Sequence, residues 1–212
     1  MSVPPTTTSP GHLQLVLAST SRARSMLLTQ AGIDHVMEGS GVDESRYDAA
    51  TPEALVSTLA DVKARAVAAR LVDGVVLGCD SVLGIDERVL GKPATPSAAR
   101  DHWKLIVGRT STLSTGHTLL RVRQGAVVAH AAGVARTDVR FGRPTPAEID
   151  AYIATAEPLA SAGAFTLEGF SAPFVDGISG SPSNVIGLSL PLLAHLLRQL
   201  GLSITQFWKT GG

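Results

Sequence analysis

The chain has 212 residues, which is room for one large domain or for two small lobes. Its composition is 44% apolar and 17% charged, which excludes an intrinsically disordered chain, since such chains are rich in charge and poor in apolar residues. Eighteen basic and 18 acidic residues cancel, so no bulk positive charge draws the protein to nucleic acid or to a membrane, and any anion-binding site has to be local.

Cysteine usage and the N-terminal segment indicate a cytoplasmic protein. Cys79 has no second cysteine with which to form an internal disulfide or a multi-cysteine metal site. Residues 1–12 carry no positive charge and no apolar core, so we expect a flexible tail and not a signal peptide. The longest apolar stretch, residues 185–197, is too short to span a bilayer. Residues 13–208 are expected to form a single domain.

The predicted elements begin with a strand, a helix and a second strand. Residues 13–18 suit a short buried strand, residues 21–30 a helix and residues 35–39 a second strand. Three further helices are predicted where a threonine precedes a proline, because the hydroxyl caps the helix and proline needs no N–H partner there. These threonines are Thr51, Thr95 and Thr145, the last forming a capping box with Glu148. The apolar stripe of the first of these helices is predicted to contain Leu55, Leu59, Val62, Ala66 and Ala69.

Strands are predicted between and after these helices. Residues 75–83 form an apolar run with a return strand at residues 89–90, and residues 111–123 and 126–141 predict a long antiparallel hairpin. A glycine- and serine-rich stretch then precedes a last helix at residues 189–200. This order predicts an α/β fold with a mixed sheet, in two lobes around a cleft.

Groups suited to phosphate lie at the start of the first helix. Ser19 and Ser21 supply hydroxyls, while Arg22 and Arg24 place positive charge in the first turn. Each unpaired arginine there costs about 0.3–1 kcal/mol, which a bound phosphate would offset. A serine cap followed by solvated arginines explains the same residues equally well.

Asp80 follows the buried run at residues 75–77, where open α/β sheets bind ligands. Its carboxylate suits a divalent cation or proton transfer from water, although a turn-forming aspartate is the simpler interpretation. Lys92, held between a glycine and a proline, is predicted to return towards Asp80 through the intervening hairpin. Glu44 suits a metal site, but loop acids are usually solvated. Lys63 is most simply a boundary lysine with its charged head in water.

Several common catalytic motifs are missing from the sequence. The six histidines show no metal-ligand spacing, and there is no G-x-S-x-G, Walker or G-x-G-x-x-G motif. These absences argue against a serine hydrolase, a P-loop NTPase and a classical dinucleotide-binding enzyme.

Five segments occur in one order: LASTSRARSMLL from residue 17, VDES from 42, LADVKARAVA from 59, GCDSV and GKP between 78 and 93, and AGAFTLEGFSAPFVDGISGSPSNVIGLSLPLL from 162. This set resembles the Maf family of nucleoside triphosphate pyrophosphatases, over residues 15–197. The resemblance implies hydrolysis of nucleoside triphosphates to monophosphate and pyrophosphate with a divalent metal, Mg²⁺ or Mn²⁺. It also implies the elongated mixed sheet of the inosine triphosphate pyrophosphatases and suggests a homodimer. Family members are proposed to remove non-standard nucleotides, and some are linked to arrest of cell division.

The resemblance assigns site residues position by position. It makes Asp80 the catalytic aspartate and Glu44 an acidic position of the site. Because the reaction needs a metal to neutralise the phosphates, we expect Asp80 with Glu44 to hold it. The positions that match phosphate-binding residues of the family are Ser19, Ser21 and Arg24, which form its S-x-S-x-x-R motif, together with Lys63 and Lys92.

Three positions depart from the commonest family pattern. The family motif S-P-R-R is replaced here by Ser21-Arg22-Ala23-Arg24, and the family motif A-D-T is replaced by Cys79-Asp80-Ser81. Glu168 stands where the family motif A-G-A-Y-G-I-Q-G has its glutamine. At the positions of Ala23, Ser81 and Glu168, the branch that prefers dTTP and UTP carries Arg, Thr and Gln, respectively. The branch acting on 7-methyl-GTP carries Glu at the position of Glu168. A carboxylate at Glu168 accepts hydrogen bonds from the N–H edge of guanine. Ala23 and Ser81 match neither branch, so the preferred base stays open.

A non-catalytic nucleotide-binding regulator of cell division is the alternative function, because it needs the same cations but no base at Asp80. A phosphatase releasing orthophosphate is the nearest competing enzyme, and an α/β binding module without a nucleotide ranks last. Turnover with metal separates the enzyme from the regulator, and product identity separates it from the phosphatase.

Overall fold

A computed structural model describes residues 13–209, and the predicted tail at residues 1–12 lies outside them. Within this range the chain forms a seven-stranded mixed sheet with flanking helices. The strands are β1 (Leu15–Leu17), β2 (Val36–Met37), β3 (Gly74–Ile85), β4 (Arg88–Leu90), β5 (Thr110–Arg123), β6 (Ala126–Phe141) and β7 (Val175–Ser179). The helices are α1 (Arg22–Gln30), α2 (Pro52–Ala68), α3 (Pro96–Ile106), α4 (Pro146–Ala154), α5 (Pro182–Ile186) and α6 (Leu190–Gln199). The predicted α/β fold is confirmed.

None of the helices between residues 13 and 209 has the length and apolar character needed to cross a membrane.

The helices begin where the sequence places capping hydroxyls. The side chains of Ser21, Thr51, Thr95 and Thr145 each accept a hydrogen bond from the backbone N–H three residues later. These N–H groups have no partner within the helix, so the caps satisfy them. Thr145 and Glu148 form the predicted capping box.

The predicted hairpin of β5 and β6 forms the long middle of the sheet. The strands pair antiparallel from Thr110 opposite Arg140 to Arg123 opposite Ala126. Gln124 and Gly125 join them with φ angles of 51° and 75°, the left-handed conformation that tight hairpin turns require. The sheet order is β2-β1-β3-β5-β6-β7, with β4 paired to β3.

Strand β3 has an interruption along one of its edges. On one side it pairs with β5 from residue 74 to residue 84. On the other side it pairs with β1 at residues 75–77 and with β4 at residues 83–85. Residues 78–82 of β3 lie between these two partners, and Asp80 is at their centre. Asp80 therefore does not lie at the carboxyl end of a strand, where open α/β sheets bind ligands, because β3 continues past it to Ile85, in agreement with the predicted strand at residues 75–83.

Two hydrophobic clusters lie on either side of this interruption. The first joins β1 and the start of β3 to α1 and α6, with Leu28 and Phe207 fully buried. The second joins the end of β3 to α3 and α4, where Trp103 packs edge-on against Phe141 and Tyr152. The clusters are the cores of the two predicted lobes.

Helix α2 packs directly on the backbone of β3 and β5. A Cβ atom on Gly78 would meet the carbonyl oxygen of Ala60 and lie 2.9 Å from the Cβ of Ala64. A Cβ on Gly116 would meet the carbonyl oxygen of Val56. Glycine at both positions therefore allows the close approach of helix and sheet.

The buried face of α2 is rotated from the predicted stripe, which was wrong except at Leu59. The rotation follows from Gly78 and Gly116, because they leave room for the backbone of α2 and for its small alanine side chains to pack directly on the sheet. The residues that are buried are Val56, Leu59, Ala60, Lys63, Ala64, Val67 and Ala68.

We predict that Gly78→Ala lowers the free energy of unfolding by about 1–3 kcal/mol, because the new methyl group overpacks the contact between α2 and β3. Gly84→Ala is the matched control in the same strand, since its Cβ would lie 3.5 Å from the carbonyl oxygen of Thr112, an ordinary contact. Urea denaturation of both variants measures the difference. Equal effects of the two substitutions would contradict the packing argument.

Candidate active site

A cleft of about 950 Å³ opens at the interruption in β3. Its walls come from the β1–α1 connection, the loop at residues 39–47, α2, β3, the segment after β4 and residues 160–168. A volume of this size is within the range of small-molecule sites. The residues singled out from the sequence all line it: Ser19, Ser21, Ala23, Arg24, Glu44, Lys63, Asp80, Ser81, Lys92 and Glu168.

An ion-paired cluster forms the floor of the cleft. The Nζ of Lys63 lies 2.6 Å from Oδ1 of Asp80 and 2.6 Å from Oε1 of Glu44. The side chains of Lys63 and Asp80 are 7% and 10% exposed, whereas that of Glu44 is 55% exposed. The interpretation of Lys63 as a boundary lysine with its head in water is therefore wrong. Burying either charge alone costs several kcal/mol, so the two are buried together.

Strand alternation explains how these two charges meet. Successive side chains of β3 point to opposite faces of the sheet. Gly78 faces α2, so Asp80 faces it as well, and Lys63 lies on the buried face of α2. The approach that Gly78 permits brings the ammonium group to the carboxylate.

Asp80 and Glu44 fit a divalent cation that binds together with phosphate. Both place a carboxylate oxygen 2.6 Å from the same atom, Lys63 Nζ, so the two carboxylates converge. Between residues 13 and 209, no three or more His, Cys, Asp or Glu residues form a group that could hold a metal. Mg²⁺ commonly takes one or two carboxylates and fills its other positions with water and substrate phosphates. The donor set therefore suits that mode of binding and not an all-protein cage.

Arg24 is held in the cleft wall by three hydrogen bonds. Its Nε donates to the carbonyl oxygen of Gly187 at 2.7 Å, and its Nη2 donates to Oγ of Ser81 at 3.0 Å. Its Nη1 donates to Oγ of Ser19 at 3.3 Å, and the same oxygen accepts the N–H of Ser21 at 3.1 Å. Because the guanidinium group is planar and rigid, these contacts determine its orientation.

Ser81 contributes to this arrangement from the face of β3 opposite Asp80. Its hydroxyl lies 2.9 Å from Oγ1 of Thr115, and Thr115 Oγ1 contacts the carbonyl oxygen of Asn184 at 3.5 Å. Ser81 thus links Arg24 to buried polar groups of β5 and α5. The specificity role assigned to Ser81 stays a prediction, and the structure adds a positioning contact to it.

Lys92 and Glu168 lie on the wall formed by the second lobe. The carbonyl oxygen of Gly91, next to Lys92, accepts the N–H of Gly163 at 3.0 Å. Partial burial raises the pKa of Glu168, backbone hydrogen bonds at Glu168 and Leu167 oppose that rise, and the charge of Glu157 adds to it. Glu168 is consequently protonated at higher pH than an ordinary glutamate.

Several residues that support the site were not identified from the sequence. His117 is buried, its Nδ1 lies 3.0 Å from the carbonyl oxygen of Thr115, and its Nε2 accepts the N–H of Ser189 at 2.9 Å. Burial lowers the pKa of His117 to about 4, so it is neutral at physiological pH. Gly187 acts through its backbone oxygen. Such contacts join positions far apart in the chain and leave no local sequence signal.

Comparison with known proteins places the chain among its relatives. A family model described as Maf-like protein matches residues 14–200. A protein of Saccharopolyspora erythraea named nucleoside triphosphate pyrophosphatase is 49% identical over 205 residues, covering 92% of this chain and 97% of the relative. A protein of the same name from Streptomyces coelicolor is 52% identical over 197 residues, covering 92% of this chain and 94% of the relative.

Among solved structures, a nucleoside-triphosphatase or dITP/XTP pyrophosphatase from Mycobacterium abscessus matches with a TM-score of 0.40 and 13% identity, over 89% of this chain and 97% of that one. The match of the family model to most of the chain, together with relatives near 50% identity, shows that the chain belongs to the Maf family.

Proposed function

We propose that this protein is a nucleoside triphosphate pyrophosphatase, which hydrolyses nucleoside triphosphates, including non-standard ones, to monophosphate and pyrophosphate. The observation that carries the proposal is the buried pair of Asp80 and Lys63 on the floor of a cleft that Arg24 and Lys92 also line. A carboxylate for proton transfer lies there among cations suited to a triphosphate. Membership of the Maf family and the names of the relatives support the same reaction.

Asp80 accepts the proton of the attacking water in this proposal. Lys63 donates to Oδ1 of Asp80, which leaves the other lone pairs of the carboxylate for the water and for the cation. The water oxygen bonds to a phosphorus of the α–β anhydride as the bond from that phosphorus to the bridging oxygen breaks. The bridging oxygen leaves with the electron pair, and the proton of the water passes to Asp80.

Arg24, Lys63, Lys92 and the start of α1 bind the phosphates in this proposal. Arg24 is already oriented by its hydrogen bonds, so little side-chain freedom is lost when it meets a phosphate. Ser19 supports this by accepting a hydrogen bond from Nη1 of Arg24, and Ser21 caps α1. The free N–H groups of the first helical turn attract the same negative charge.

Asp80 and Glu44 hold the divalent cation, Mg²⁺ or Mn²⁺, in this proposal. When bound, the cation neutralises phosphate charge and so lowers the cost of placing a triphosphate next to two carboxylates. Lys63 keeps the two carboxylates converged by contacting both.

The test is product identification. The purified protein is incubated with Mg²⁺ or Mn²⁺ and a panel of nucleoside triphosphates that includes methylated bases, and ³¹P NMR follows the products. We expect monophosphate and pyrophosphate in equal amounts from at least one of them. Orthophosphate as the first product would identify a phosphatase instead. Nucleotide binding without turnover would identify the non-catalytic regulator.

Glu168 contacts the base in this proposal, and its raised pKa gives a second prediction. As pH falls through that pKa, the carboxylate gains a proton and can no longer accept two hydrogen bonds from a guanine edge. We expect the KM for 7-methyl-GTP to rise by roughly tenfold, since a hydrogen bond to a charged group contributes about 1.5–3 kcal/mol. The rise begins above the pH at which an ordinary glutamate titrates.

Steady-state kinetics from neutral pH down to the lowest pH at which the protein stays folded measure this dependence. Glu168→Gln is the control, because an amide does not titrate in that range. An identical pH dependence of KM in both proteins would exclude Glu168 as its source.

A further inference from the structure

The loop that carries Glu168 is folded around the carboxylate of a different segment. Glu157 is the first residue of a short 3-10 helix, Glu157–Ala160, which follows α4. Its Oε1 accepts a hydrogen bond from Oγ1 of Thr166 at 2.6 Å and from the N–H of Phe170 at 3.0 Å. Thr166 and Phe170 lie two residues before and two residues after Glu168. One carboxylate therefore holds the loop on both sides of Glu168.

Two further contacts close this loop. A Cβ atom on Gly169 would meet Oε1 of Glu157 and Oγ1 of Thr166 and lie 2.5 Å from Oε2 of Glu157, so the loop backbone lies directly against the carboxylate. The fully buried Ser171 accepts the N–H of Thr166 at 2.8 Å and donates to the carbonyl oxygen of Thr166 at 2.9 Å. The loop is left with few alternative conformations.

Thr166 and Glu157 differ in their relation to the cleft. Thr166 and Glu168 line it, whereas Glu157 does not. The oxygens of Glu157 are used by donors of the loop. Thr166 also stands where the A-G-A-Y-G-I-Q-G pattern has a glycine, so its hydroxyl contact depends on a residue that this chain has and that pattern lacks.

We propose that Glu157 and Thr166 are positioning residues that hold Glu168 against the base and thereby set how strongly the enzyme selects among nucleobases. This inference rests on the proposed function, because it takes Glu168 as the residue that contacts the base. Glu157 acts through the loop and not on the substrate. Its removal therefore changes recognition of the base and leaves the phosphate site unchanged, since Asp80 and Arg24 belong to other segments.

The experiment compares variants that differ in one hydrogen bond. Thr166→Val removes the hydroxyl that donates to Glu157 and keeps the shape of the side chain, and Thr166→Ser keeps the hydroxyl. Glu157→Ala removes the acceptor, and Glu157→Gln keeps an oxygen that can accept both hydrogen bonds. For each, the ratio of kcat/KM for 7-methyl-GTP to that for UTP is measured, with the inhibition constant of inorganic tripolyphosphate, which has no base.

We expect Thr166→Val and Glu157→Ala to reduce the selectivity ratio by roughly tenfold through KM, the effect of losing a positioned hydrogen bond. The inhibition constant of tripolyphosphate and kcat stay within about twofold of wild type. Thr166→Ser and Glu157→Gln restore the wild-type ratio. Thermal unfolding checks that the variants are folded. If Glu157→Ala does not fold, the comparison of Thr166→Val with Thr166→Ser decides the question.

An unchanged ratio in Thr166→Val overturns the proposal. Equal losses for the nucleotides and tripolyphosphate also overturn it, because they indicate general damage to the cleft. Failure of the proposed function is a separate result: the wild-type protein then releases no pyrophosphate from any triphosphate. In that case calorimetric binding of 7-methyl-GTP, UTP and tripolyphosphate replaces turnover, and the same ratios apply.

Discussion

The ion pair of Lys63 and Asp80 is the interaction on which the candidate site depends. Each charge alone in the interior costs several kcal/mol, so helix α2 and strand β3 have to bring both to the same place. Gly78 and Gly116 allow this, because a side chain at either position would hold the helix away from the sheet. The packing of one helix thus determines where the carboxylate and a cation of the cleft lie.

The cleft follows from the pairing of β3, and Arg24 joins the segments around it. β1 and β4 flank β3 on the same edge and leave residues 78–82 between them. The guanidinium group of Arg24 bonds to the β1–α1 connection, to Ser81 in β3 and to Gly187 after α5. Because the guanidinium group is rigid, its hydrogen bonds to three segments that are distant in sequence hold its charge in one orientation. The loop held by Glu157 adds the wall that carries Glu168.

The sequence predicted the features that depend on local chemistry. Helix starts could be predicted at Thr51, Thr95 and Thr145, because a capping hydrogen bond involves only the next three residues. The hairpin turn at Gln124-Gly125 could be predicted because it too depends only on adjacent residues. The residues of the site could be named because ordered motifs resemble those of a family. Their individual roles remain predictions, although the fold brings them to one cleft.

The features that were missed depend on contacts between distant segments. Periodicity alone could not decide which face of α2 is buried, because the answer depends on the glycines of β3 and β5. Lys63 lies on the buried face of α2 because of the sheet beneath it, which the pattern of the helix alone does not indicate. The hydrogen bonds of Glu157 to the loop at residues 166–170 could not be predicted from the sequence either, since no sequence pattern links the turn that carries Glu157 to that loop.

The most direct test of this account is the turnover of Asp80→Asn, measured beside its calorimetric binding of an α,β-methylene nucleoside triphosphate, which cannot be hydrolysed at that bond. Asp150→Asn, an exposed aspartate of α4 paired with Arg100, serves as the control. The account predicts that kcat of Asp80→Asn falls by at least about 10²-fold, the usual contribution of a general base, while the variant still binds the analogue. Near wild-type turnover by Asp80→Asn would contradict it.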